Sequence, residues 1–533
     1  MSRERLYLFD TTLRDGQQTA GVDFALEEKL IIARELGAMG MDYIEGGFPG
    51  ASTTDTAFFA EERDFGKARV TAFGMTKRAG RSASNDPGLQ TVLAAKSDAF
   101  CFVGKSWDYH VEVALGVTLD ENLAAIRDTI KAAVSTGRET MIDCEHFFDG
   151  YKANPDYALS CAKAAFEEGA RWIVLCDTNG GTLPHEVFAI VSEVKKHIPG
   201  ERLGIHAHDD AGCAVANSLA AVSAGVRQIQ GTLNGLGERC GNANLISLIP
   251  TLKLKPEFAD KFEIGISDDG LKNLTHISRQ LDEMLNRNPN RHAPYVGANA
   301  FVTKAGIHAS AILKDPRTYE HIPPEAVGNR RRVMVSDQGG RSSLLAELER
   351  IGLQVNKDDP RIARLLDTVR ERENAGYAYD GAEASFELLA RRALGSVPDY
   401  FDVDSFRTSV ERRHNAMGEL VTVCEAVVKV TVKGEARMSV AEGNGPVNAL
   451  DVALRKDLGI YQPFINDLKL TDFKVRILNG GTEAVTRVTI ESADDSGDVW
   501  TTVGVSPNII DASFQALVDS ITYKLVKSGA PAP

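Results

Sequence analysis

The chain reads as an α/β protein: a (β/α)8 TIM barrel, then a mostly helical region, then a C-terminal α+β domain. Three observations predict this. Eight short apolar runs alternate with helical patterns across the first half. Polar and ionisable residues collect just after those runs, at the strand ends where barrel active sites assemble. The length, 533 residues, exceeds one ordinary core and leaves room for further domains beside a barrel of roughly 250. A doubly wound sheet is the other arrangement that such alternation allows.

The predicted strands are 6–10, 43–46, 70–74, 99–103, 140–143, 172–176, 203–207 and 228–232. Between them, 120–136, 155–168 and 183–197 carry helical patterns. Asp120 and Asn154 are predicted caps, because short polar side chains accept from the first unpaired N–H groups of a helix. Pro155 and Pro184 suit first-turn positions, where no N–H is needed. After the predicted strands stand Arg14 and Asp15; Glu45; Lys105 and Ser106; Glu145; Asp177 and Thr178; His206 and His208; Asn234 and Glu238.

The catalytic barrel is placed at 1–275. Residues 276–415 read as mostly helical and charged, and carry Lys304-Ala-Gly-Ile-His308 and the basic Asn329-Arg-Arg-Arg332. From 416 to 533 the pattern changes. Runs 426–432, 473–478 and 485–491 alternate as strands do, whereas 445–455 and 511–525 read as helices. This tail holds no catalytic cluster, so a regulatory or dimerising role is expected. No solenoid repeat is present, and low complexity is confined to the final Ser-Gly-Ala-Pro-Ala-Pro.

Composition narrows the function. Hydrophobic residues make up 43% and charged residues 25%, an ordinary globular balance. A net charge of −14 argues against general nucleic-acid binding, which needs a basic face. Small anionic substrates stay open, because a local metal or arginine outweighs distant charge. The seven cysteines (101, 144, 161, 176, 213, 240, 424) form no Cys-x-x-Cys, which points to reduced thiols and a cytoplasmic setting. No apolar signal region opens the chain and no apolar run reaches 18 residues, so no membrane association is expected.

The densest chemistry lies in Leu203-Gly-Ile-His-Ala-His-Asp-Asp210. Strand side chains alternate faces, so His206 and His208 point the same way and can reach one metal ion. Asp15, at the end of strand one, adds a carboxylate. Such N and O donors suit Mg2+, Mn2+ or Zn2+. Asp209 and Asp210 are candidates to orient the histidines. Arg14 suits either a salt bridge at the barrel mouth or the stabilisation of charge developing on a substrate carbonyl. Glu145, after strand five, is a candidate base. Thr178 suits a helix cap as well as a substrate contact. Trp107, Phe147 and Phe148 add aromatic bulk near two strand ends and are expected to keep the pocket small. Arg330-Arg-Arg332 reads as a solvated face, as charge runs usually do. Gly443-Asn-Gly445 lacks the pattern of a nucleotide loop.

The motifs Asp10-Thr-Thr-Leu-Arg-Asp-Gly16, His206-x-His208, Gly235-Leu-Gly-Glu-Arg-Cys-Gly-Asn242, Ala441-Glu-Gly-Asn-Gly-Pro-Val-Asn-Ala-Leu450 and Thr502-Val-Gly-Val-Ser-Pro-Asn-Ile-Ile-Asp511 are family signatures. Through them the chain resembles, over nearly its whole length, the acetyl-CoA-dependent 2-oxoacid aldol synthases, the family of 2-isopropylmalate, homocitrate and citramalate synthases. The runs Gly104-Lys-Ser-Trp-Asp108, Glu145-His-Phe-Phe-Asp-Gly-Tyr-Lys152 and Cys176-Asp-Thr-Asn-Gly-Gly-Thr-Leu-Pro184 are similar to its citramalate branch.

That resemblance implies a metal-dependent condensation of acetyl-CoA with pyruvate, followed by thioester hydrolysis, in isoleucine synthesis. It implies Asn242 as fourth metal ligand beside Asp15, His206 and His208, Arg14 as carbonyl polariser and Thr178 as carboxylate donor. It makes Glu145 and His308 both candidates for proton removal, with Tyr319 beside His308 at the acetyl-CoA end. Ser310 departs from the acidic residue that relatives often carry there. A homodimer with isoleucine as effector of the tail follows on the same grounds. The rival readings are the same chemistry on a larger 2-oxoacid, a 3-hydroxyacyl-CoA lyase for which Cys240 is the feature to watch, and a non-catalytic sensor.

Overall fold

The computed structural model describes residues 3–61, 64–287, 289–303, 308, 311–312, 314–333, 341–356, 359–414, 416–478 and 484–533. They form two compact units. One comprises the chain up to Phe301 together with His321–Arg331, the other Val302–Glu320 with Arg332–Pro533.

The first unit is a closed barrel of eight parallel strands: β1 Tyr7–Asp10, β2 Tyr43–Gly47, β3 Arg69–Met75, β4 Ala99–Lys105, β5 Glu139–Glu145, β6 Trp172–Asp177, β7 Leu203–Ala207 and β8 Gln228–Gly231. Strand β1 pairs with both β2 and β8, which closes the circle. Every predicted strand is present, and the doubly wound alternative falls. Helices α1 Leu26–Met39, α2 Thr53–Ala60, α3 Pro87–Ala94, α4 Leu119–Val134, α5 Pro155–Glu167, α6 Pro184–Val194, α7 Ala214–Ala224 and α8 Leu245–Leu254 follow the strands in turn.

The caps are mostly as read. Asn154 accepts from the Tyr157 N–H, and Pro155 and Pro184 occupy first turns. Asp120 does not cap α4. Thr118 does, in a reciprocal box with Glu121, two residues earlier than the aspartate suggested.

Period-two alternation divides the barrel strands into two faces. The outward face packs the helices, with Leu8, Ile44, Phe100, Phe102, Ile142, Ile173, Leu175 and Ile205 wholly buried. The inward face carries a separate cluster of Phe9, Tyr43, Ala99, Cys101, Met141, Trp172, Val174 and Cys176. Tyr43 and Trp172 are joined there by a 3.0 Å hydrogen bond from the indole Nε1 to the phenol. One inward position further along the strands stand Glu45, Asp143, His206 and Gln230.

The second unit contains helices Arg341–Arg350, Pro360–Asn374 and Glu383–Ala393 and two three-stranded antiparallel sheets. The first sheet joins β9 Asp402–His414, β10 Leu420–Val432 and β11 Glu435–Gly443. The second joins β12 Lys469–Ile477, β13 Thr486–Ala493 and β14 Val499–Ser506. Helices Pro446–Lys456 and Ile509–Lys527 supply Leu450, Leu454, Leu517 and Ile521 to a core shared with Val428, Val430, Val488 and Ile490. The α+β expectation holds. Strands interrupt the helical reading of residues up to 415: the short parallel pair Val302–Thr303 and Arg332–Val333, and the long Asp402–His414. The residues of this last strand are exposed or only half-buried, so no apolar alternation announced it.

Candidate metal centre and active site

The segment after β1 is shaped by its own side chains. The Asp10 carboxylate accepts from the Thr12 N–H at 2.9 Å and from the Thr12 hydroxyl at 2.8 Å. The Thr12 hydroxyl in turn accepts from the Leu233 N–H at 2.9 Å. This anchors the turn that presents Arg14 and Asp15. Lys29, wholly buried on α1, adds a second anchor: its Nζ donates to the Leu13 carbonyl at 2.8 Å, the Gly46 carbonyl at 3.2 Å and Asp55 Oδ1 at 2.5 Å.

Asp15, His206 and His208 converge as a possible metal-binding group. Asp15 Oδ2 lies 3.2 Å from His206 Nε2 and 3.8 Å from His208 Nε2, and the two Nε2 atoms are 3.3 Å apart. Two imidazole nitrogens facing one carboxylate at this spacing need a shared cation, either a proton or a metal. Burial alone would raise the Asp15 carboxyl, but Arg14 and the two imidazoles outweigh it and hold it well below the usual carboxylate range. Burial opposes charge on His206, yet Asp15 keeps it above its ordinary value. His208 is pushed down to about 4 by burial and by its neighbour His206.

Asn242 reaches the same cluster. The loop before it bridges onto the end of β7, with Asp209 N–H donating to the Gly241 carbonyl and Ala243 N–H to that of Ala207, each at 2.9 Å. Gly237 is required here: a Cβ would come within 2.3 Å of the Asn242 Nδ2. That Nδ2 donates to Asp15 Oδ2 at 3.1 Å and to the Leu236 carbonyl at 3.0 Å. Asn242 Oδ1 and His208 Nδ1 are buried without a hydrogen-bond partner among the described residues. The orphaned oxygen, beside two imidazoles and a carboxylate, fits a hard or borderline divalent cation.

Asp209 and Asp210 do not orient the histidines. Asp209 accepts from the Ala214 N–H at 2.8 Å. Asp210 is forked by Arg239, whose Nη2 also donates to the Thr178 carbonyl. The groups that do touch His206 are Gln230 and, through it, Asp143. Both repeat the alternation that flagged His206-x-His208, since Asp143-x-Glu145 and Gln228-x-Gln230 are inward pairs too.

Arg14 is enclosed. Its Nε donates to Glu45 Oε2 at 2.7 Å, its other nitrogens lie 3.4 Å from Asp15 and 4.0 Å from Asp143, and its plane sits 4.1 Å over the Phe73 ring. Burial opposes its charge, but the carboxylates of Glu45, Asp15 and Asp143 raise it further above the ordinary guanidinium value. Glu45 is wholly buried, and its carboxyl is pushed up by that burial against the pull of Arg14.

Glu145 ends β5 directly opposite Lys105 in the register and pairs with it. His110 Nδ1 is 4.0 Å from the same carboxylate, and the His110 and His146 rings meet edge to face at 4.5 Å. His146 holds a left-handed backbone, φ 57°, and its N–H donates to the Thr178 hydroxyl at 2.8 Å. Thr178 therefore does not cap α6. His110 and His146 carried no pattern that set them apart in the sequence.

Phe147 and Phe148 are wholly buried in the core packed against the helices, and of the three aromatics only Trp107 is partly exposed, its ring 5.7 Å from His146. Bulk at the mouth thus comes from Trp107 and the two imidazoles. In the second unit, His308 and Tyr319 are both exposed with ring centroids 4.4 Å apart. Lys304–Ile307 (304–307) and Ser310 lie outside the described residues. Arg330 is exposed, and Arg331 and Arg332 are half-buried. Cys240 is exposed, with its thiol unpaired to any other cysteine.

Residues 5–272 match the HMGL-like family, 295–374 the homocitrate synthase post-HMGL domain-like family and 380–525 the LeuA allosteric (dimerisation) domain. The chain belongs to the HMGL-like family. Within it, over its full length, it belongs with the (R)-citramalate synthases. It is 50% identical to the (R)-citramalate synthase of Geobacter sulfurreducens, covering 98% of each chain, and 48% identical to that of Aquifex aeolicus, again covering 98% of each. Identity to the 2-isopropylmalate synthase of the same Aquifex aeolicus is 30%, covering 98% of this chain and 96% of that one. Both Aquifex proteins are matched almost end to end, so the gap separates the two branches and disfavours the larger 2-oxoacid.

Proposed function

We propose that this protein is a citramalate synthase, an acyltransferase that condenses acetyl-CoA with pyruvate and hydrolyses the thioester to give citramalate and CoA. The observation that carries the reading is near-full-length identity of 48–50% to (R)-citramalate synthases. The site geometry supports it. Asp15, His206, His208 and Asn242 are the residues that would hold a divalent metal (Mg2+, Mn2+ or Zn2+). When bound, that ion supplies Lewis-acid polarisation of the 2-oxoacid carbonyl.

Arg14 stabilises negative charge growing on the same carbonyl oxygen, pre-oriented by Glu45 and Phe73. Thr178 accepts the His146 N–H with its oxygen, which leaves its own hydrogen free to donate to the substrate carboxylate. Glu145 is a candidate base for proton removal from the acetyl methyl, and His308, with Tyr319 beside it, is the other candidate. The match of 380–525 to an allosteric dimerisation domain supports a homodimer and feedback control; isoleucine is the effector proposed for it. No helix among the described residues is long and apolar enough to cross a membrane.

The test is CoA-thiol release from acetyl-CoA with pyruvate, 2-oxobutanoate, 2-oxoisovalerate or 2-oxoglutarate, after chelation and with Mg2+ or Mn2+ restored. Preference for pyruvate that vanishes without metal is expected. Preference for a larger 2-oxoacid would overturn the substrate assignment.

A further inference from the structure

Gln230, on β8, and Asp143, on β5, both face inward and are buried, at 0% and 4% exposure. Gln230 Oε1 lies 2.8 Å from His206 Nδ1, and its Nε2 donates to Asp143 Oδ1 at 2.9 Å. Asp143 Oδ2 is 4.0 Å from Arg14 Nη2. We infer that Gln230 and Asp143 are positioning residues: an amide–carboxylate pair that fixes the His206 tautomer and ties this ligand to Arg14.

The argument is one of donors and acceptors. The Asp143 carboxylate, paired with Arg14, accepts hydrogen bonds and gives none. The amide must therefore turn its NH2 toward Asp143, because the reverse orientation would set two acceptors face to face. Its oxygen is then the group presented to His206. The neutral tautomer of His206 that matches carries its proton on Nδ1, which leaves the Nε2 lone pair aimed at Asp15 and His208. An amide is needed for this task, since it accepts on one side and donates on the other without adding charge. His208 has no such lock, because its buried Nδ1 is without a partner among the described residues. The two imidazoles are thus unequal, His206 pre-set and His208 free to adapt.

The inference rests on the metal reading of Asp15, His206 and His208. Its test is Mn2+ affinity, read as free Mn2+ by electron paramagnetic resonance on full-length protein, with the unfolding temperature of the metal-free protein measured alongside. Q230L is expected to weaken Mn2+ binding by about 10–100-fold, the usual cost of losing such an outer partner. Q230E sets a second carboxylate against that of Asp143 and weakens binding as well. D143N removes the acceptor-only partner that fixes the amide and is expected to weaken binding by less than Q230L, because the amide oxygen at 143 can still accept from Gln230. The double variant Q230E/D143N rebuilds the chain with the roles exchanged, the amide at 143 donating to the carboxylate at 230, and is expected to recover affinity close to wild type.

Should Q230L not fold, the comparison of Q230E with the double variant decides. A double variant no better than Q230E, at equal metal-free stability, overturns the inference, and so does unchanged Mn2+ affinity in Q230L. Wild type and H206A binding Mn2+ equally would overturn the metal reading itself, a different failure from an unrescued double variant in a protein that binds through His206.

Discussion

Asp10 is wholly buried, yet it is a carboxyl group in the turn that presents Arg14 and Asp15. Burial, opposed by the Thr12 hydrogen bonds and reinforced by Glu45, pushes its pKa from 3.8 up to about 7. The folded value exceeds the unfolded one, so Asp10 contributes stability that is fully present below about pH 4 and is lost as pH rises through 7. A shift of roughly three units corresponds to about 4 kcal/mol between those limits. Asp10→Asn removes the charge but also one hydrogen bond: the amide oxygen still accepts from the Thr12 N–H, while the Thr12 hydroxyl loses its acceptor, at about 1 kcal/mol. The variant is therefore close to wild type near pH 5 and more stable by about 3 kcal/mol at pH 8. At roughly 2 °C per kcal/mol for a domain of this size, the barrel transition should rise by about 6 °C at pH 8. Scanning calorimetry of both proteins at pH 5 and pH 8, compared within each pH, reads this directly. Equal destabilisation of Asp10→Asn at both pH values would refute the reasoning, because Asp10 would then be a charged and fully compensated acceptor.

Arg14→Gln should lower kcat by about 10²–10³-fold with little change in KM for pyruvate, as for loss of a donor that acts on developing charge; a change confined to KM would make Arg14 a binding residue only. Lys29→Met leaves Asp55 and two carbonyls without their shared donor, and should lower stability by about 3–5 kcal/mol in urea unfolding. Cys240→Ser should leave thiol release from acetyl-CoA and pyruvate unchanged, and loss of activity would revive the lyase reading. Removal of divalent metal should abolish turnover, with recovery on adding Mg2+ or Mn2+, which activity measured in excess chelator checks.

The barrel was legible because each strand carried its own apolar run, and because alternation is a local property of the chain. His206 and His208 were legible for the same reason. Gln230 and Asp143 obey the identical rule but are not the residue types that draw attention as ligands, and their contact joins β8 to β5 across the barrel interior. His110 and His146 were hidden more deeply: one sits in a short helical turn after β4, the other in a left-handed conformation after β5, and no periodicity predicts that their rings meet. Strand β9 was missed because its residues are mostly exposed and polar, so that β10 alone specifies it through pairing. Phe147 and Phe148 illustrate the opposite error. Aromatic residues next to a strand end look like pocket walls, but burial in this core is the commoner fate of such rings.

One inward position separates packing from chemistry on these strands. Tyr43 and Met141 fill the interior, and Glu45 and Asp143 stand one inward step beyond them on β2 and β5. The polar layer therefore rests on a close-packed floor that fixes its height, which is how side chains on β5, β7 and β8 hold distances of 2.8 and 2.9 Å without a loop to adjust them. The same layer concentrates carboxylates around a single guanidinium, an arrangement that costs stability by itself and that a cation at Asp15, His206 and His208 would relieve. The substitutions that should stabilise this protein most are hence those that discharge the polar layer, and they are the ones expected to lower metal affinity and turnover.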